Sequence, residues 1–187
     1  YVIIMDADGE DRPEYLKIFF NKTIENPGKT ITANRMKRLE GNLFNILYNL
    51  HKFITWIFTD KLINFGNYSC LPRYHVENLI EQGSLWNSFS GTVAKTIDER
   101  MGIKTDKGKR YYGPSQLSLL NIFIHSFTIS SVFKKKLTIR TILFCVFFLL
   151  LYFISKLNLV LLIIFFLLVY LLINLFVSKR NNLSQLK

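Results

Sequence analysis

The stretch that decides the fold is Tyr1–Glu14, which reads YVIIMDADGEDRPE. Its apolar part, Val2–Met5, predicts a buried strand that ends abruptly at Asp6 and Asp8. Ligands of open α/β sheets bind beyond the carboxyl ends of the strands, where these two carboxylates would lie. Asp6 and Asp8 can converge on one cation only if the backbone turns, and Gly9 favours such a turn. Oxygen ligands of this kind predict a Mg²⁺ or Mn²⁺ site, and a solvated acidic turn is the alternative.

A helix is predicted to follow the acidic stretch. Pro13 and Glu14 suit its first turn, because proline is favoured there and a carboxylate complements the helix dipole. The helix is predicted over Glu14–Asn26 and a strand over Thr30–Asn34. The later predictions are one or two helices over Leu39–Ile63 that pack on the sheet or on a membrane, a turn into a strand over Phe65–Leu71, a short helix over His75–Glu81 and a basic loop over Lys104–Gly113.

The excess of basic charge is confined to the C-terminal part of the chain. Residues 1–106 carry 13 basic and 13 acidic side chains, whereas residues 107–187 carry 11 basic and no acidic ones, which accounts for the net charge of +11. Since the same part holds the longest apolar runs, its basic residues predict contact with an anionic membrane face. The sequence has no basic stretch interleaved with aromatic residues in the manner of nucleic-acid-binding proteins, so we expect no nucleic acid partner.

Two apolar segments, Leu137–Ile154 and Leu159–Val177, predict a transmembrane hairpin. Lys156 is the only charged residue between positions 141 and 178, and the second segment would extend about 28 Å, close to the ~30 Å hydrocarbon core. Basic residues flank the pair, so both its ends are expected on the cytoplasmic side, with Lys156 at the opposite face. A buried helical pair in a soluble core is the alternative, which the scarcity of charge disfavours. The flanking basic residues are Lys134, Lys135, Lys136 and Arg140 before the pair and Lys179, Arg180 and Lys187 after it.

The segment Gln116–Phe133 mixes apolar and polar residues. This pattern predicts one or two amphipathic helices at the membrane interface, with an ordinary core helix as the alternative. The predicted organisation is therefore an α/β domain over residues 1–115, interface helices over 116–136, two transmembrane helices over 137–178 and a cytoplasmic tail over 179–187.

Five short motifs in order resemble the family 2 glycosyltransferases that act on polyprenyl phosphates, such as dolichyl-phosphate mannose synthase and the bacterial membrane glucosyltransferases. The family shows a strand ending in Asp-x-Asp, then Pro-Glu, a strand ending in arginine, a Gly-Asp-Phe-like strand with a downstream arginine, and an Arg-x-x-Gly-x-Ser-Lys loop. This chain shows Asp6-Ala7-Asp8, Pro13-Glu14, Ala33-Asn34-Arg35 with Arg38, Gly66-Asn67-Tyr68 with Arg73, and Arg110-Tyr111-Tyr112-Gly113-Pro114-Ser115-Gln116.

Haloacid-dehalogenase-like phosphatases share the pattern Asp-x-Asp-Gly, but they continue with Thr or Val where this chain has Glu10. The glycosyltransferase resemblance implies the C-terminal part of a Rossmann-like GT-A domain. The chain starts in mid-strand without an initiator methionine, so the resemblance also implies a truncated N-terminus and no transfer by this part alone. The strands that bind the nucleotide base precede the Asp-x-Asp strand in that family.

The resemblance implies a role for each of the matching residues. Asp6 and Asp8 would bind Mg²⁺ or Mn²⁺ with Glu10 as an auxiliary ligand, and Asp8 and Asn67 would be the catalytic residues. The phosphate-binding residues would be Arg35, Arg38, Arg110 and Ser115. Asn67 stands where the family has an aspartate and would position the acceptor, which Tyr68 would face.

The implied reaction is metal-dependent, inverting transfer of a sugar from a nucleotide sugar to a lipid phosphate such as polyprenyl phosphate. Asn67 cannot be a general base, since an amide has no useful proton affinity, but a lipid phosphate is already anionic and needs none. Asn67 and Gln116, which replaces the family's lysine, leave a non-catalytic, membrane-tethered glycosyltransferase-like subunit as the alternative. The expected partners are a nucleotide sugar, a membrane-bound acceptor and membrane lipids, and a homo-oligomer is compatible with this reading. We expect an integral membrane protein whose catalytic domain lies on the cytoplasmic face.

Overall fold

A four-stranded mixed sheet lies at the centre of the computed structural model, which describes residues 1–35, 42–113 and 119–179. The strands are β1 (Val2–Ile4), β2 (Thr30–Arg35), β3 (Ser69–Leu71) and β4 (Arg100–Thr105). Their order is β1-β3-β2-β4, with β3 antiparallel to both β1 and β2, and β2 parallel to β4. The carboxyl ends of β1, β2 and β4 therefore lie at one edge, beside the start of β3.

The helices account for most of the remaining described residues. They are α1 (Leu16–Glu25), α2 (Asn42–Thr59), α3 (Arg73–Ile80), α4 (Phe89–Thr96), α5 (Leu119–Ser131), α6 (Lys134–Ser155) and α7 (Asn158–Lys179), with single 3₁₀ turns at Pro13–Tyr15 and Gly83–Trp86. The mixed α/β class expected from the sequence is confirmed. The stretch Leu39–Ile63 holds one described helix, α2, and this helix packs against α5 and α6.

Two elements were not predicted. Helix α4 contains Gly91 and two threonines, all poor helix formers, but the Ser88 side chain caps it by accepting a hydrogen bond from the Gly91 N–H at 3.1 Å. Strand β4 contains Gly102, where an added Cβ would lie 2.2 Å from the Asn34 side chain on β2. The loop predicted over Lys104–Gly113 is therefore wrong at its start, because β4 continues to Thr105.

The sheet has a hydrophobic cluster on each face. Phe19 of α1 covers one face, where it packs with Ile31 and Tyr68. The other face carries Leu71, which packs with residues of α3, α4 and the segment after α5: Leu79, Val93, Ala94, Val132 and Phe133. Because Val132 and Phe133 directly precede α6, the start of α6 is packed into the sheet domain.

A buried histidine lies at the end of the sheet away from the acidic residues. His75 is 6% exposed, and its Nδ1 lies 2.8 Å from the Thr30 hydroxyl. Burial lowers the pKa of His75 and outweighs the opposing effect of the Glu99 charge. The folded protein therefore favours the neutral imidazole.

Helices α6 and α7 form a hairpin that matches the two predicted apolar segments. Lys156 ends α6 in a left-handed conformation, with its N–H bonded to the Tyr152 carbonyl at 2.7 Å, and α7 begins two residues later. Both helices are long and apolar enough to cross a membrane, and only 11% of each span is buried. Since a core helix of a soluble protein would be mostly buried, this surface favours association with a membrane.

Helix α5 falls within the segment predicted as interface helices. The Tyr170 hydroxyl of α7 donates to Ser130 at 3.2 Å, and the Phe127 and Tyr170 rings lie 5.6 Å apart. Ile129 near the end of α5 is buried, whereas Ile124 is 48% exposed. Helix α5 is thus partly covered by α7, and residues 116–118 lie outside the described part of the chain.

Candidate functional site

The acidic residues after β1 form a tight turn closed by its own carboxylates, called here the acidic turn (residues 6–11). Gly9 has a φ of +92°, which an L side chain rarely adopts, as the sequence predicted. The Asp6 N–H donates to Asp11 Oδ2 at 2.9 Å, and the Glu10 N–H donates to Asp8 Oδ1 at 3.0 Å. The turn therefore has a fixed shape in which Asp11, at 2% exposure, is an internal support.

A second segment, residues 107–111, packs on the acidic turn through its backbone. The Gly108 N–H donates to the Glu10 carbonyl and the Tyr111 N–H to the Asp8 carbonyl, both at 2.9 Å. A Cβ on Gly108 would lie 2.2 Å from the Gly9 carbonyl oxygen. Glycine is therefore needed at position 108 for the two backbones to approach this closely.

Two basic side chains of the 107–111 segment pair with two carboxylates of the acidic turn. Arg110 bridges two carboxylates, with Nη2 at 3.1 Å from Asp8 Oδ2 and Nε at 2.7 Å from Glu10 Oε1. Lys107 Nζ lies 3.1 Å from the same Glu10 oxygen. Burial alone would raise the pKa of Glu10, but the hydrogen bonds from Arg110 and Lys107 outweigh burial, and the pKa lies below its ordinary value. Glu10 therefore stays ionised between two cations.

Asn67 joins the site from the segment that enters β3. Ile4 is paired with Ser69 in the antiparallel ladder, so the positions two residues beyond each, Asp6 and Asn67, also face each other. The Asn67 amide donates to Asp6 Oδ1 at 3.2 Å, and Asn67 is exposed. The structure therefore brings together Asp6, Asp8, Asn67 and Arg110, which the sequence had singled out.

Of the other predicted phosphate-binding residues, Arg35 falls in the part of the chain that the structure describes. Arg35 ends β2 at the same edge of the sheet, paired in register with Thr105 of β4. Arg38 and Ser115 lie outside the described residues.

Tyr68 lies in the core, which corrects the prediction that it faces an acceptor. It is 2% exposed, its ring centroid lies 4.7 Å from that of Phe19, and its hydroxyl donates to the Arg12 carbonyl at 2.9 Å. Burial, assisted by nearby negative charge, raises the pKa of Tyr68 to about 12. Tyr68 therefore holds the backbone at Arg12, which directly follows the acidic turn.

Glu10 also needs a correction. Its side chain is 9% exposed and pairs with Arg110 and Lys107, so it is a counter-ion rather than an open auxiliary metal ligand. Asp6 and Asp8 are part-exposed carboxylates, the donor type that Mg²⁺ and Mn²⁺ prefer. In the part of the chain that the structure describes, no group of three or more His, Cys, Asp or Glu side chains is arranged to hold a metal ion. A cation bound here would therefore take two protein carboxylates and complete its shell with water or substrate oxygens.

Sequence reasoning did not assign a role to Asp11 or Lys107, which hold the site in shape. Asp11 was seen only as part of an acidic stretch, and Lys107 only as part of a basic loop. The one available signal for Lys107 was its charge, opposite to that of its partner Glu10, which nothing local relates across some hundred residues of chain. Asp11 accepts from the Asp6 N–H within the turn itself.

Comparisons of sequence and fold give no significant match to a family model, a curated protein or a solved structure. The assignment of a function therefore depends on the motifs and the geometry described above.

Proposed function

We propose that the chain forms the metal- and acceptor-binding part of a membrane-bound, inverting glycosyltransferase of the family 2, GT-A type. Its donor would be a nucleotide sugar and its acceptor a lipid phosphate such as polyprenyl phosphate. The observation that carries the proposal is the convergence at one sheet edge of Asp6, Asn67 and Arg110. Asn67 lies 61 residues from the Asp6 it contacts, and Arg110 lies 100 residues from Glu10.

Each of these residues has a chemical task that fits its surroundings. Asp6 and Asp8 would hold Mg²⁺ or Mn²⁺, which neutralises the departing nucleoside diphosphate. Arg110 already bonds two carboxylate oxygens through its guanidinium, and phosphate oxygens offer it the same bidentate geometry. Asn67 uses one amide hydrogen on Asp6 and has a second hydrogen and its oxygen for orienting the acceptor.

The hairpin supplies the membrane part of the proposal. We propose that α6 and α7 span the bilayer with both basic ends on the cytoplasmic side and Lys156 on the other. The sheet domain would then lie on the cytoplasmic face, since Val132 and Phe133 connect the sheet's core directly to the start of α6. A thiol-reactive, membrane-impermeant label tests this orientation on a Lys156→Cys variant: labelling from the outer side supports the orientation, and labelling only from the cytoplasmic side contradicts it.

The direct test is sugar transfer in membranes from cells that produce the full-length protein. Labelled nucleotide sugars such as UDP-glucose and GDP-mannose are offered with a polyprenyl phosphate, in Mg²⁺, in Mn²⁺ and in EDTA. Asp8→Asn should abolish metal-dependent transfer while the protein stays in the membrane, and Arg110→Ala should raise KM for a substrate phosphate.

Asp98→Asn is the matched control, because Asp98 undergoes the same chemical change at an 82% exposed side chain that pairs with Lys61 outside the site. Its transfer rate should equal that of the wild type. Undiminished transfer by Asp8→Asn would remove Asp8 from the reaction.

A non-catalytic, glycosyltransferase-like subunit is the second candidate, and one observation favours it. The charges of Asp8 and Glu10 are already compensated by Arg110 and Lys107, and Asn67 replaces the family's aspartate. Absence of both hydrolysis and transfer across the donor panel, by a folded full-length protein, would favour this subunit over the enzyme.

A further inference from the structure

Four large apolar side chains form an exposed stripe along α2, called here the α2 stripe (Ile46, Leu50, Phe53 and Trp56). They are 63, 50, 55 and 45% exposed, respectively. Their spacing of three or four residues places them on one face of the helix. Ordinary surface helices of soluble domains carry polar residues at such positions, so this face calls for a partner.

The opposite face of α2 already has its partner. Thr55, Phe58 and Thr59 are buried, and the Phe58 ring packs 5.7 Å from Phe144 of α6 and 5.1 Å from Tyr170 of α7. Helix α2 therefore packs against the hairpin on one side and exposes the α2 stripe on the other.

The C-terminal end of α2 lies at the basic end of α6. Arg140 donates to the Ile57 carbonyl and pairs with Asp60 at 3.5 Å, and Lys136 lies 3.7 Å from the other Asp60 oxygen. Lys134 and Lys135 beside them are exposed. In a hairpin that spans a bilayer, basic residues at a helix end lie at headgroup level, so this end of α2 lies there as well.

The α2 stripe continues into the apolar surface of the hairpin. A cavity of about 400 Å³ lies between the end of α2 and α6. Its lining residues are Trp56, Ile57, Asp60, Arg140, Leu143 and Phe144. Leu143 is itself 62% exposed on α6. The surface between Trp56 and Leu143 is therefore mostly apolar, and it also holds the ion-paired Asp60 and Arg140 side chains.

We propose that α2 is an interfacial helix whose stripe enters the acyl boundary of the bilayer that holds α6 and α7. The bilayer is the occupant that fits both observations, since its acyl region covers the apolar side chains of the stripe and the hairpin, and its anionic headgroups complement the lysines at the start of α6. A second copy of the chain would have to displace lipid from the hairpin to reach the same face. The proposal rests on insertion of the hairpin, and it holds whether or not the protein transfers sugar.

The native indole of Trp56 provides the test. The chain has two tryptophans, so a Trp86→Phe variant reports on Trp56 alone. This protein is reconstituted into vesicles of phosphatidylcholine and phosphatidylglycerol whose acyl chains carry bromine. We expect the brominated lipid to reduce Trp56 fluorescence about twofold relative to unbrominated vesicles, and acrylamide in the water to quench it weakly, because a helix at the acyl boundary is buried ~5–10 Å.

The control moves the indole to the other side of the sheet. Phe20 on α1 is 63% exposed, and a Phe20→Trp variant that also carries Trp56→Phe and Trp86→Phe should show the reverse pattern. Bromine should leave its fluorescence unchanged, and acrylamide should quench it strongly.

Three results would overturn the proposal, and they differ from one another. If acrylamide quenches Trp56 fluorescence and bromine does not, the indole faces water. If neither quenches it, the indole is covered by protein, as in a second copy of the chain. Protein that does not float with the vesicles lacks the hairpin insertion on which the proposal rests.

Discussion

The acidic turn and the apolar part of the hairpin differ in the reach of their polar contacts. In the acidic turn, Asp8 and Glu10 bond to a segment some hundred residues away. In the hairpin, Thr141 and Asn174 bond to their own helices: the Thr141 hydroxyl donates to the Leu137 carbonyl at 2.8 Å, and the Asn174 amide donates to the Tyr170 carbonyl at 2.9 Å. Bonding within the helix is what a lipid environment requires, because no water is present to satisfy polar groups.

Because of this difference, substitutions should have different consequences in the two regions. A change in the acidic turn should alter local shape and charge while the protein stays in the membrane. A change on the hairpin surface should alter where the protein resides while the acidic turn stays intact.

Gly108→Ala should have the largest effect on the sheet domain. The new Cβ would lie 2.2 Å from the Gly9 carbonyl oxygen, so one backbone must move away, at a cost of about 3 kcal/mol or more of folding free energy. Thermal unfolding in detergent measures this loss of folding free energy. Gly66→Ala is the control, since nothing lies within 4 Å of a Cβ at Gly66. Equal unfolding temperatures for the two variants would show that the two segments do not pack as described.

Leu168→Arg near the middle of α7 should release the protein from the membrane. Leu168 is 45% exposed, and an arginine at a bilayer centre costs about 3 kcal/mol on insertion scales. The fraction that resists extraction by alkaline carbonate measures the effect, with Leu168→Met as the control. If the arginine variant is retained as well as the wild type, α7 does not cross the hydrocarbon core.

Glu10→Gln should destabilise the sheet domain by about 1–2 kcal/mol, because Lys107 and Arg110 lose a buried partner but can still reach water. The folded pKa of Glu10 lies below its ordinary value of 4.5, so the ion pairs stabilise the protein above that pH. Their contribution is lost as the pH falls through the folded pKa.

The unfolding temperature of the wild type should therefore drop at acid pH, and that of Glu10→Gln should drop less. Glu14→Gln is the control. The Glu14 side chain is 68% exposed, and its ion pair with Arg12, at 3.5 Å, lies at the surface, where ion pairs contribute little to stability. A wild-type acid transition that Glu10→Gln leaves unchanged would contradict the ion-pair account.

The protonation of His75 should have the smallest effect on stability, and it should act at a higher pH than that of Glu10. Its folded pKa is lowered by burial, so the unfolded chain binds a proton more readily than the folded one. Stability is therefore fully present above the ordinary His pKa of 6.5 and decreases as the pH falls below it. His75→Gln should flatten the unfolding temperature across this range, and an unchanged slope would place the titration elsewhere.

Local patterns predicted much of the fold, since β1, α1, β2, β3, α3 and the hairpin all have apolar runs or periodicity of the expected length. The burial predicted for β1 is wrong, because β1 is an edge strand in which Val2 and Ile3 are 42% and 41% exposed. Strand β4 and α4 were missed because Gly102 and Gly91 weaken the local signal and are tolerated only through tertiary contacts. The sequence left α2 with a choice between sheet and membrane, and the structure packs α2 against α5 and α6.

The candidate site was predictable in part. Asp6, Asp8, Asn67 and Arg110 came from motif order, and the ladder register explains why Asn67 reaches Asp6. The supporting positions of Lys107 and Tyr68 depend on how distant segments pack, which no local pattern encodes. Asp11 bonds within its own turn, and its carboxylate gave no sign in the sequence of a structural role.

The most direct test of the central claim is metal-dependent binding of a nucleoside diphosphate at the acidic turn. Electron paramagnetic resonance of Mn²⁺ is recorded with the full-length protein in vesicles, with and without UDP or GDP. The account predicts a bound Mn²⁺ signal that strengthens with the diphosphate, is lost in Asp8→Asn and persists in Asp98→Asn. A Mn²⁺ signal that Asp8→Asn leaves unchanged, or diphosphate binding that needs no divalent cation, would contradict it.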